Sequence, residues 1–139
     1  PPNLRLETIW HDPLAFMVGL EHPLAGRDTV DLPELAAYPA VLPGGTTYTR
    51  GILERALREA ALGLHVAMAT NYLETLRMLV ATGLGWSLLP ATLRDGEVHV
   101  LRVGGLRLSR DLGAATHRRR RLSNAATEMI RVCRQASGG

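Results

Sequence analysis

Two polar stretches, GGTTYTR (residues 44–50) and TNY (residues 70–72), carry the side chains best placed to do chemistry. Each follows a short apolar run, PAVLP (residues 39–43) or the alternating Leu64, Val66 and Met68, and each opens a helical pattern. That order puts two helix starts at the carboxyl ends of strands, where open α/β sheets hold ligands. A helix start presents backbone N–H groups without intrahelical acceptors and a partial positive charge, which suits a carboxylate or another small anion. Thr46, Thr47, Thr49 and Thr70 add hydroxyls, and Asn71 adds an amide. Capping its own helix explains any one of these residues. Two such starts on adjacent strands argue for a binding cleft.

Other chemistries fail on spacing. GWSLL (residues 85–89) places Leu89 where a nucleophile elbow needs its second glycine, and it runs helix to strand instead of strand to helix. Ser87 therefore reads as structural. GLGWSL (residues 83–88) lacks the last glycine of a dinucleotide fingerprint and ends a helix where the fingerprint would open one. The chain has no lysine, so no phosphate-binding lysine exists. His11, His22, His65, His99 and His117 are scattered without metal-ligand spacing, so no metal or other cofactor is expected. An acid–base enzyme pairing a histidine with Glu74 or Asp95 would need convergent titratable groups, and none is visible. Cys133 sits on the apolar side of a helical pattern and reads as an inert buried thiol. The run HRRRR (residues 117–121) could touch phosphates, but no aromatic residue interleaves with it, and it reads as a solvated strand end.

The elements that would position these residues follow from periodicity. Residues 4–10 alternate as a half-buried strand, and LAFMVGL (residues 14–20) is apolar enough for a strand covered on both faces. A polar loop leads to a short helical turn at residues 32–35, with Pro33 tolerated in its first turn. A helix follows residues 46–49, with Ile52, Leu53, Ala56, Leu57 and Ala60 on one face, and Gly63 ends it. Asn71 caps the next helix, with Glu74 at capping-box spacing, and Gly83 and Gly85 stop it. Residues 86–89 form a buried strand, and residues 97–103 and 106–116 read as further strands. Ser123 caps a last helix bearing Ala126, Met129, Ile130 and Cys133, and residues 137–139 are expected to fray. Strands alternating with short helices argue an α/β fold with a largely parallel sheet.

Composition sets the class. At 139 residues the chain is one domain or a substantial piece of one, with 46% apolar and 21% charged residues. No stretch reaches the roughly 18 uninterrupted apolar residues of a membrane span, so no membrane partner is expected. One cysteine forms no internal disulfide, and a cytoplasmic location is expected. The net charge of +3 is too small to choose between nucleic acid and a small anion as partner.

The assembled pattern resembles the effector-binding (substrate-binding) domain of LysR-type transcriptional regulators. The matching segments are DPLAFMVGLEHPLAG (residues 12–26), DLPELAAYPAVLP (31–43), TRGILERALREAALG (49–63), RRRLSNAATEMIRVC (119–133) and above all LETLRMLVATGLGWSLLP (73–90). The resemblance covers nearly the whole chain. It implies a fold like type II periplasmic binding proteins, two α/β subdomains joined by two crossing strands near residues 14–20 and 111–116. Residues 1–20 would belong to the first subdomain and its crossing strand, residues 21–110 to the second, and residues 111–139 to the return strand and C-terminal helix. The first subdomain is expected to be largely missing, since the family's first strand–helix units would precede Pro1. The effector contacts carried over by resemblance are Gly45, Thr46, Thr47, Thr70 and Asn71. The implied partners are a small-molecule effector, a homodimer or homotetramer assembled through this domain, and DNA only through an absent helix-turn-helix domain; the chemistry of the helix starts favours an anionic effector over a neutral metabolite. The alternative reading is an extracytoplasmic solute-binding protein of the same fold.

Overall fold

The computed structural model describes residues 4–117 and 120–138. Strand β1 (Leu4–Gly19) is one continuous strand of 16 residues where the sequence reads as two. It is followed by β2 (Thr29–Val30), α1 (Leu32–Ala36), β3 (Ala40–Leu42), α2 (Tyr48–Glu59), β4 (Val66–Ala69), α3 (Leu73–Ala81), β5 (Ser87–Pro90), β6 (Val98–Val103), β7 (Ser109–His117) and α4 (Asn124–Gly138). The chain divides into two compact units, residues 13–110 and residues 1–12 with 111–139.

In the larger unit, β1 pairs with β5 on one side and β6 on the other, both antiparallel, while β2 pairs parallel with β6 and β3 parallel with β4. The expectation of a largely parallel sheet therefore needs correction: it is mixed, because β1 runs against both its neighbours. Side chains alternate across a strand, so successive β1 residues enter opposite cores. Leu14, Phe16 and Val18 pack with Leu53, Leu57 and Trp86, while Ala15 and Met17 pack with Leu76, Val80 and Leu89. Helices α2 and α3 thus cover opposite faces, and this is why residues 14–19 are all buried.

The double glycine after α3 does two separate jobs. Gly83 takes φ +88, and the Gly83 N–H to Val80 O and Leu84 N–H to Leu79 O bonds (3.0 and 3.1 Å) close the helix as a Schellman motif. Gly85 lies against β3: a Cβ there would stand 2.7 Å from Pro39 O. Trp86 N–H donates to Pro39 O and Val41 N–H to Trp86 O, so this close approach sets β5 alongside β3.

The smaller unit holds the first part of β1, most of β7 and α4. Glu7 accepts from Arg134 Nε at 3.0 Å, and His11 Nδ1 lies 2.7 Å from Asp111 Oδ1. Ser123 Oγ accepts from Ala126 N–H at 3.1 Å, the expected cap of α4. The helix continues through Ser137 and Gly138, where fraying was expected. Cys133 is only half-buried, which corrects the expected buried thiol: no described residue of this unit is buried, so α4's apolar side has no core to enter.

Candidate functional site

The parallel pairing of β3 with β4 matches Leu42 to Ala69, so the two strands end side by side. Thr70 N–H donates to Leu42 O at 3.0 Å, which carries the pairing one step further. Both loops that follow are helix starts, and the structure brings all five expected residues to one edge.

At the first start, Thr47 is the N-cap of α2. Its Oγ1 accepts from Arg50 N–H at 3.3 Å, and its hydroxyl donates to Gly44 O at 2.7 Å. The Thr47 hydroxyl is therefore spent on local structure. Thr49 is buried within the helix and faces no ligand. Gly45 and Thr46 are exposed, and nothing lies within 4 Å of where a Cβ on Gly45 would be. The Thr46 hydroxyl has no partner among the described residues.

At the second start one expectation fails. The N-cap of α3 is Tyr72, with no side-chain cap hydrogen bond, and Asn71 does not cap the helix. Asn71 Oδ1 instead accepts from Gly44 N–H at 2.9 Å, so the amide that local spacing assigned to its own helix ties the two loops together. Glu74 forms no capping box with Asn71; it bonds Arg77 Nε at 3.1 Å. Thr70 Oγ1 accepts weakly from Tyr72 N–H at 3.4 Å, leaving its own proton available to a ligand.

Two further contributors, Gly44 and Arg50, lie within the stretch of residues 44–50, but their partners gave no signal in local sequence. A Cβ on Gly44 would stand 2.6 Å from Asn71 Oδ1, so a side chain there would push the Asn71 amide off the Gly44 N–H. Arg50 turns back on its own loop and donates from Nη1 to Pro43 O at 2.8 Å, with its side chain 12% exposed. Its Nε lies 2.9 Å from Glu54 Oε1, but that buried N–H is not aimed at the oxygen. The arginine fixes the loop between β3 and α2, in which Thr47 N–H also donates to Gly44 O at 3.0 Å.

The site's electrostatics come from backbone more than from side chains. The two helix starts add partial positive charge, and Glu74, the nearest carboxylate on α3, is engaged by Arg77. Arg77 also holds Asp95 at 2.6 Å, so neither acid singled out for acid–base chemistry meets a histidine. Among the described residues no group of three or more potential metal ligands exists. Ser87 is fully buried in β5, a structural position as expected. Of the run 117–121, Arg118 and Arg119 lie outside the described residues. Among the described residues no helix is long and apolar enough to cross a membrane.

The family model for the LysR substrate binding domain matches residues 1–138. The chain belongs to this family. It is an effector-binding domain of LysR-type transcriptional regulators, and not an enzyme. Over 104 residues it is 32% identical to the uncharacterized HTH-type transcriptional regulator YnfL of Escherichia coli (strain K12), a match covering 73% of this chain and 35% of that protein. The chain thus spans about a third of the length of that curated relative. The C-terminal domain of a probable LysR family transcriptional regulator from Rhodococcus sp. RHA1 is 31% identical, with a TM-score of 0.80, over 96% of this chain and 68% of that one. The effector binding domain of QuiR in complex with shikimate is 20% identical, with a TM-score of 0.87, over 99% of this chain and 66% of that one. These likenesses bear out the α/β, type II periplasmic-binding-protein-like fold of the effector-binding domain.

Proposed function

We propose that this LysR domain senses a small, anionic effector at the paired helix starts, with Gly45, Thr46, Thr70 and Asn71 meeting the ligand and Thr47 shaping the loop. The observation that carries the reading is the Asn71 to Gly44 hydrogen bond, which makes two helix starts into one donor-rich edge. A carboxylate there would accept from backbone N–H groups and from the Thr46 and Thr70 hydroxyls, each bond strengthened by the ligand's charge. Shikimate, bound by the structurally similar QuiR domain, is a probe of suitable chemistry.

In the whole protein, residues 1–20 and 111–139 would belong to one subdomain and residues 21–110 to the other. Effector binding would shift the population between two states of a cytoplasmic homo-oligomer, and a separate helix-turn-helix domain would read the change out on DNA. Calorimetric titration with small carboxylates, shikimate included, tests the site. Saturable binding is expected, weakened roughly tenfold by Thr70→Ala, the loss of one charge-assisted hydrogen bond. Unaltered affinity in that variant would remove Thr70 from the site.

A further inference from the structure

We propose that the smaller unit carries a second anion site, separate from the helix starts, in which Arg5, Arg120 and Arg121 hold a compact polyanion of the phosphate or polycarboxylate type. The three arginines border one cavity of about 480 Å³, together with Thr116, Asn124 and Thr127. That volume lies within the range of small-molecule pockets. Arg5 comes from the start of β1, more than a hundred residues from Arg120 and Arg121, so the basin is built by the fold and is not a mere run of like charge.

Charge bookkeeping points the same way. The nine arginines of residues 13–110 are matched by nine acids, so the whole net charge of +3 resides in the smaller unit. There, Glu7 is held by Arg134, Glu128 by Arg131 and Asp111 by His11. Among the described residues no carboxylate lies within ion-pair distance of Arg5, Arg120 or Arg121. Like charges gathered around a concavity repel one another, and a bound anion relieves that repulsion. Guanidinium forks match phosphate and carboxylate oxygens in pairs, while the hydroxyls of Thr116 and Thr127 and the amide of Asn124 supply neutral donors. Three cations suit a ligand of two or three negative charges better than a single carboxylate. A DNA duplex fits less well, because phosphate tracking needs an outward-facing basic ridge, and the arginines of α4 are already engaged by Glu7 and Glu128.

The test is a titration of the 139-residue chain at low salt with inorganic pyrophosphate and, separately, citrate, followed by amide-resolved NMR. We expect saturable shifts at Thr116, Leu122, Asn124 and Thr127. Affinity should fall roughly tenfold in Arg5→Gln and again in Arg121→Gln, and fall less in Arg5→Lys, which keeps the charge but loses the paired geometry. Both substituted positions are exposed, so the folded spectrum should persist. A response to pyrophosphate alone assigns the phosphate class, and a response to citrate alone the polycarboxylate class. Shifts confined to residues 44–47 and 70–72, wild-type affinity in both glutamine variants, or duplex DNA binding that pyrophosphate does not displace would each overturn the proposal.

Discussion

At the level of single residues, the site depends on a tie that local pattern misassigns. Asn71 followed by Glu74 three positions on is the signature of a capping box, and nothing near it in sequence announces Gly44 as a competitor. The parallel register of β3 and β4 brings Gly44 N–H within reach, and that donor wins the side chain. Thr47 was legible as a cap because its partner, Arg50, is three residues away. Asn71→Ala should therefore cost about 1 kcal/mol in denaturant unfolding. Gly44→Ala should interfere with the same bond, so a double-mutant cycle between the two should be strongly non-additive. Ser87 gives the opposite sign: its hydroxyl is buried without a partner among the described residues, so Ser87→Ala should raise stability by about 1 kcal/mol, read as a higher unfolding midpoint. His22 sets a pH dependence. Burial lowers its pKa, and its Nδ1 accepts from Leu24 N–H at 3.0 Å, which requires the neutral ring on that side. The unfolded chain then binds the proton more readily than the folded one, so stability falls as pH drops below about 6.5. Unfolding midpoints measured from pH 7 to 5 should show this slope reduced in His22→Gln.

The elements of the larger unit were largely legible because their periods are clean. Residues 14–20 read as a strand covered on both faces; residues 14–19 are so covered, one face by α2 and the other by α3, while Leu20 lies past the strand end and is exposed. What the pattern could not supply is direction. A buried strand is equally apolar whether its neighbours run with it or against it, so the antiparallel pairing of β1 with β5 and β6 escaped the reading. Nor does Pro13 break β1, since β1 remains extended through it. Helix α3 anchors one core through Leu76 and Val80, both fully buried. Leu76→Ala should cost about 2–5 kcal/mol, because the cavity it leaves is walled by the sheet. Gly85→Ala should be destabilising as well, since its new methyl group would meet backbone at Pro39, not a movable side chain. Chemical denaturation of the two variants checks both.

For the whole molecule, stability should be uneven. The unit of residues 13–110 holds both hydrophobic clusters, while no described residue of the other unit is buried. Native-state hydrogen exchange should therefore find the slowest amides in β1 around Phe16 to Val18 and in β5, and fast exchange along α4. The family was legible at this scale through an accumulated resemblance covering most of the chain, and the domain match over residues 1–138 bears it out. The effector's identity was not, since helix starts and threonine hydroxyls recognise an anionic group without specifying the rest of the molecule. The proposed effector site is the pair of helix starts of α2 and α3. The most direct test follows backbone amides during titration with shikimate and other small carboxylates. Saturable shifts are expected, largest at Gly45, Thr46, Thr70 and Asn71. Saturable binding that leaves those four amides unmoved would contradict this placement.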